Sequence, residues 1–320
     1  MFIIDDEESK TLPSNYGVND IPLINQDKLF SEDGNLIEKT DIEPFGLMGN
    51  TILVNGTYDP YLEVKESQIR FRLLNGSNAR AYHFGFDDGR TFQLVANDAG
   101  LLESPIELDQ MMLSPGERGE IVVSFEPGDE TIFRSFKGEN GIDQNEFELL
   151  KIVASDNLKE TKEIPKILTK EQKSEVPTNA KVRTFELTMD SKINGKAMDM
   201  NRIDEVVHAN TTEIWEITNR GWDHNFHIHD AAFRILDING ELPPIYERGR
   251  KDTVFIPSGS TVRIAVQFGE NTNPSFPLMY HCHLLLHEDE GMMGQFVIVE
   301  PRTEDEVPKN LHNNEHNQHH

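Results

Sequence analysis

Short runs of β-branched and aromatic residues recur along the chain, and few stretches longer than about ten residues keep a helical period. In the first half the pattern predicts strands over Thr51–Val54, Gln68–Leu74, Thr91–Val95 and Gly119–Phe125. Asn55-Gly56 and Asn75-Gly76 read as hairpin turns. Pro115-Gly116 and Pro127-Gly128 punctuate the strands near them. In the second half strands are predicted over Val182–Thr188, Glu213–Thr218, Phe233–Ile238, Asp252–Ile256, Thr261–Phe268 and Gln295–Val299. Asn194-Gly195, Asn239-Gly240 and Pro257–Gly259 are the turns between them. Many short strands at this spacing predict an all-β protein of two sandwiches.

The division between the halves is compositional. Ser155–Ala180 is rich in Lys, Glu and Thr, holds Pro165 and Pro177, and shows no apolar period. It reads as a surface linker, with a short exposed helix at Thr169–Lys173 as the alternative. The expected organisation is a sandwich over 1–155, a linker over 156–180, a second sandwich over 181–301 and a disordered tail over 302–320. The tail carries His312, His316, His319 and His320, a scatter that points to no specific site. The halves share an Asn-Gly turn and a Pro-Gly type corner, as distant copies of one sandwich would, but no residue-level repeat.

Length and charge narrow the function classes. The 320 residues suit two domains of roughly 150 each. Thirty Lys and Arg against 56 Asp and Glu give a net charge of −26, which repels nucleic acid and anionic lipid and favours cations. No apolar run reaches the ~18 residues of a membrane span. The opening MFIIDDEESK lacks the basic start of a signal peptide. One Cys excludes an internal disulfide.

The chemistry is concentrated in two segments. Six of the 12 His lie in His224-Asn225-Phe226-His227-Ile228-His229 and in His281-Cys282-His283-Leu284-Leu285-Leu286-His287, with Met292 five residues on. In a strand, His281 and His283 point to one side and Cys282 to the other, and His227 and His229 share a face. His224 is expected to reach the opposite face only if the chain bends before His227. A loop over Glu288–Gly291 is expected to fold His287 and Met292 back over Cys282. Cys282, His224, His287 and Met292 then form one set: two imidazoles, a thiolate and a weak thioether suit a blue copper site. His227, His229, His281 and His283 form an all-imidazole set joined to the first through Cys282. Zinc is the competing metal, although closed zinc sites have no use for the Met or for alternating His-Cys-His. Asp223 and Asp230, flanking the first segment, are candidates to orient the imidazoles.

These segments resemble those of the multicopper oxidases, in particular three-domain bacterial laccases and cuprous oxidases. HNFHIH followed by FRIL resembles the family's third-domain HPFHIH motif, and HCHLLLHEDEGMMG resembles its last motif. KDTVFIPSGSTVRIAVQF resembles the strand pair between them, and INGKAMDMNR the entry to the third domain. RFRLLNGSNARAYHFGF and ELDQMMLSPGERGEIVVSF resemble the middle domain, which normally holds no copper. The likeness covers nearly the whole chain and implies two cupredoxin-like Greek-key β-sandwich domains.

The resemblance also implies roles. Cys282, His224 and His287 would hold the electron-accepting mononuclear copper, with Met292 axial. His227 would bind the single copper of a trinuclear cluster, and His229, His281 and His283 its paired coppers. Glu288 resembles an acid that feeds protons to the cluster; a plain solvated acid is the alternative. A complete cluster needs eight His and the chain offers four, so the expectation is a family member without its first domain, FIIDDEE resembling that domain's end. His83 has no His-x-His partner, so self-association alone would not complete the set.

The implied activity is one-electron oxidation of a phenolic or metal-ion reductant, coupled to reduction of O₂ to water once the missing imidazoles are supplied by a partner chain or assembly. A blue copper electron-transfer or copper-storage protein, and a folded relic with empty sites, are the rival readings. Met198, Met200, Met279, Met292 and Met293 are scattered, so no Met-rich insert favours cuprous ion as substrate. The family is mostly extracytoplasmic, which leaves the compartment of this chain open.

Overall fold

The computed structural model describes residues 3–37, 44–170, 175–308 and 311. Two compact units emerge: Met1–Lys173 with Pro244–Lys251, and Ser174–Pro243 with Asp252–His320. No helix among the described residues is long and apolar enough to cross a membrane.

The first unit is a sandwich of two sheets. One runs in the order Thr57–Tyr58, Thr51–Val54, Asp20–Lys28, Gln68–Asn75, Arg118–Ser124, Phe92–Asn97 and Gly100–Leu108. The other runs Tyr61–Glu66, Phe147–Lys159, Glu130–Phe136, Tyr82–Phe86 and Gln110–Leu113. Between them lies a core that includes Phe71, Phe84, Phe86, Phe92 and Phe133, all buried. Asn55-Gly56 makes the expected hairpin, with φ of 51° and 77°. Asn75-Gly76 does not. Asn75 instead pairs in parallel with Asn25, and its buried amide donates to the Arg80 and Leu113 carbonyls. An Asn that satisfies buried carbonyls need not turn the chain, and the dipeptide alone cannot show which task it has.

The linker expected over 156–180 is partly drawn into this unit. The strand Phe147–Lys159 passes the boundary at 155, and Leu168 is buried with its N–H on the Glu103 carbonyl. Ile164 and Leu168 are four residues apart among charged neighbours, too sparse a pair to read as core. Thr169 and Lys170 are not helical; the rest of the alternative helix, and His312, His316, His319 and His320, lie outside the described residues.

The second unit stacks a four-stranded sheet on a five-stranded one. The first runs Val182–Leu187, Thr212–Asn219, Thr261–Phe268 and Ala231–Ile238. The second runs Glu205–His208, Met293–Val299, Leu278–His281, His224–Ile228 and Thr253–Ile256. Trp215 is wholly buried at the centre, 4.6 Å from Phe185, 5.7 Å from Tyr280 and 6.1 Å from Phe226 between ring centroids. Its indole N–H donates to Glu213 at 3.1 Å, and Arg183 pairs with the same carboxylate. Buried aromatic rings on Phe226 and Tyr280 fix the two strands that carry the His segments.

Candidate metal centre

The strand His224–Ile228 lies between its two neighbours in the five-stranded sheet. His224 pairs with Ile256 on one side, and His227 faces His281 on the other. The pairing runs without a register shift, so the strand alternates cleanly. The expected bend is therefore unnecessary. Three is an odd offset, and an unbroken strand already sends His224 and His227 to opposite faces.

On one face His224, Cys282 and His287 converge. Cys282 Sγ is 3.7 Å from His224 Nδ1 and 3.6 Å from His287 Nδ1, and the two Nδ1 atoms are 2.9 Å apart. All three residues are buried. His287 is carried not by a loop but by a five-residue helix, Leu285–Asp289, the only α-helix among the described residues. Met292 is buried beside them, its N–H on the His287 carbonyl at 2.9 Å and its carbonyl taking the Cys282 N–H at 3.1 Å. Burial, and after it the neighbouring His287, pushes the His224 imidazole down to about 3. Burial pushes the Cys282 thiol up to about 12. Both shifts keep His224 and Cys282 uncharged at neutral pH without an ion.

On the other face the remaining imidazoles gather. His229 Nε2 lies 3.3 Å from His281 Nε2, and ligand atoms of His227, His229 and His281 all fall within 4.8 Å of one another. The His283 ring centroid is 5.6 Å from that of His227 and 5.4 Å from that of His281. His227 Nδ1 sits 2.9 Å from the Asp252 carbonyl and 3.0 Å from Thr253 Oγ1. His281 Nδ1 sits 2.9 Å from the Cys282 carbonyl and 3.4 Å from Glu288 Oε2. Donating Nδ1–H to these oxygens leaves each Nε2 as a bare acceptor. Burial and the neighbouring rings push His229 down to about 4 and lower His283 as well. The hydrogen bond to His281 holds the Glu288 carboxyl below the usual carboxylate range.

Several sequence expectations are redistributed. Asp223 accepts the Ser258 N–H at 3.0 Å, and Asp230 sits exposed at a turn with φ of 50°. Asp252, Thr253 and Glu288 sit on the imidazoles. Asp252 and Thr253 were legible as a strand start, and nothing in their spacing marks them as facing His227. Asn225 is a further residue that the spacing does not flag. It is fully buried, 3.6 Å from Cys282 Sγ through Oδ1, and the same oxygen accepts the His283 N–H. His83 pairs with Asp143 at 2.8 Å, and His208 with Glu304.

Comparison with known proteins gives the family. Two multicopper oxidase family models match residues 23–148 and 169–302. The multicopper oxidase McoA of Aquifex aeolicus superposes with a TM-score of 0.85 at 32% identity, over 92% of this chain and 70% of that one. The chain belongs to the multicopper oxidase family. A laccase from Pediococcus acidilactici superposes with a TM-score of 0.81 at 36% identity, over 92% of this chain and 63% of that one. The multicopper oxidase mco of Staphylococcus haemolyticus is 36% identical over 306 residues, 93% of this chain and 63% of that protein. This family member therefore spans about 63% of the length of that curated relative. The likeness gives its two sandwiches the cupredoxin-like architecture of those oxidases.

Proposed function

We propose that the chain is the electron-accepting part of a laccase-like oxidase, taking single electrons from a phenolic or metal-ion reductant at a copper that Cys282, His224, His287 and Met292 would hold. The observation that carries this reading is the position of Cys282: its sulfur lies within 3.7 Å of two imidazole nitrogens, while its chain neighbours His281 and His283 belong to the other imidazole set. The donor set fits copper. A buried soft sulfur with two buried imidazoles beside it suits a thiophilic ion. Copper, when bound, supplies one-electron redox chemistry.

The remaining work belongs to the chain. Burial of Cys282 and Met292 keeps water from the sulfur. The Cys282 backbone is a covalent bridge of one residue to His281 and His283, and so offers a short path between the two ligand sets. Asp252 and Thr253 hold His227, and Glu288 holds His281, with their Nε2 atoms toward the cluster. Glu288 stands half-buried at the rim, where a carboxylate can pass protons inward. Four imidazoles meet on this face, half of the eight that the family's O₂-reducing cluster uses. We infer that this chain alone accepts electrons and that O₂ reduction needs imidazoles from a further domain or partner.

The test is copper stoichiometry together with an absorption spectrum. One tightly held copper and an intense blue band that Cys282→Ser abolishes support the reading. A band that survives Cys282→Ser removes the sulfur from the site, and O₂ consumption at laccase-like rates by the purified chain would falsify the division of labour. A blue band with electron exchange but no turnover under any complementation would favour an electron-transfer protein.

A further inference from the structure

The segment Pro244–Lys251 lies in sequence between two strands of the second unit, Ala231–Ile238 and Thr253–Ile256, yet it belongs to the first unit. Asn97 Nδ2 donates to the Tyr246 carbonyl at 2.9 Å, and the Ala99 N–H donates to the Arg250 carbonyl at 3.2 Å. Gly249 lies so close that a Cβ there would stand 2.5 Å from Asn97 Nδ2 and 2.7 Å from Leu102 Cδ2. At the end of the segment Lys251 Nζ enters a nest of three buried carboxylates: Asp98 at 3.2 Å, Glu117 at 3.0 Å and Glu247 at 3.1 Å. Arg118 adds a second cation, its Nη1 3.7 Å from Asp98 Oδ1. Tyr246 stays neutral there, because burial and the carboxylates of Glu247 and Glu117 push its hydroxyl up. Two cations thus face three carboxylates out of reach of solvent. Like charges this close repel strongly at low dielectric, so the nest is neutral only when one carboxyl holds a proton.

We propose that this nest is a proton-operated latch: the first unit grips Pro244–Lys251 firmly while one of the three carboxyls is protonated, and loosens its grip as that proton leaves. The latch is independent of the copper reading above. Glu117 carries the proton. Its side chain has no exposed surface, and burial, opposed by Lys251 and reinforced by Glu247 and Asp98, raises its carboxyl to about 8. When the segment leaves, the carboxyls meet water and Glu117 returns to its ordinary 4.5. Between these values the gripped state binds one proton more than the released state. Its advantage is therefore whole below about 4.5 and is lost as the pH rises to about 8. The chain runs from Lys251 directly into Asp252 and Thr253, which sit on His227, so the latch holds the last residue before them.

The experiment is amide hydrogen exchange of the full chain, with the intrinsic rate at each pH divided out. It is read at Ala99, whose N–H loses the Arg250 carbonyl when the segment leaves. In the wild type the Ala99 protection factor is expected to fall about fiftyfold between pH 6 and pH 8. At pH 8 it is expected to lie below that of Phe71, which sits in the core of the same unit and exchanges only when that core opens. Glu117→Gln stays neutral at every pH and is expected to keep one Ala99 protection factor across the interval. A flat wild type overturns the proposal, and so does a fall in Glu117→Gln as large as that of the wild type. Equal protection of Ala99 and Phe71 at pH 8 overturns it too, since the segment would then open only with the whole unit. Should Glu117→Gln fail to fold, Glu247→Gln removes the excess charge from the other side of the nest and decides by the same criteria.

Discussion

Acidifying the metal-free chain should destabilise it through His224. That imidazole is 1% exposed and faces His287 across 2.9 Å, so it has neither water nor a counter-charge to accept a proton. Free imidazole titrates at 6.5, whereas burial holds folded His224 down to about 3. Between these values the unfolded chain binds the extra proton, so stability is whole above about 6.5 and falls as the pH drops toward 3. Going from pH 7 to pH 5 crosses most of the first two units of that window. At about 1.4 kcal/mol per unit, less the rounding near 6.5, the cost is about 2 kcal/mol. Chemical denaturation of the copper-free chain at both pH values measures it. His224→Gln cannot take the proton and serves as the reference for every other group that titrates. The wild type should lose about 2 kcal/mol more than His224→Gln over this interval. Equal losses in the two proteins would show that His224 is solvated or charge-paired, and the preformed dry site would have to be abandoned.

Three further outcomes follow from the same structure. Copper uptake should release the Cys282 proton, because a thiol pushed up to about 12 is protonated throughout the neutral range; the apparent affinity should rise about tenfold per pH unit between pH 6 and 8, and a flat dependence in chelator competition would remove the sulfur from the site. Trp215→Ala removes the ring at the centre of the second sandwich and should cost about 3–5 kcal/mol in denaturant unfolding, a loss under 1 kcal/mol arguing against its central packing. Lys251 is buried with its Nζ 3.2 Å from Asp98, 3.0 Å from Glu117 and 3.1 Å from Glu247. Lys251→Met should destabilise the chain by about 3–5 kcal/mol, and more at pH 8 than at pH 6: burial already raises Glu117 to about 8, and without the ammonium the folded carboxyls hold protons that the unfolded ones release. A loss that shrinks as pH rises would contradict this.

The strands were legible because their signal is local. Thr51–Val54 and Thr261–Phe268 have the predicted bounds, since alternation and flanking turn residues suffice to define an exposed-face strand. Strands such as Tyr82–Phe86 and Gln110–Leu113 escape that reading, because burial on both faces or short length erases the period. The His and Cys segments stood out for another reason. Several ligand-type residues at strand spacing can serve one ion, and no folding requirement alone calls for such a run.

The amino-acid order by itself determined the two-sandwich class, the two His segments and the opposite facing of Cys282 and its flanking imidazoles, because parity along a strand is a property of the backbone. Only the folded chain decided that His224 needs no bend, that His287 rides on a helical turn, and that Pro244–Lys251 joins the first unit. It also decided that Asp252, Thr253 and Glu288 hold imidazoles, and that Asn225 reaches the sulfur. Those are contacts between residues from 25 to 57 positions apart, apart from the Glu288 pair, and register across strands, not spacing along one, brings such partners together.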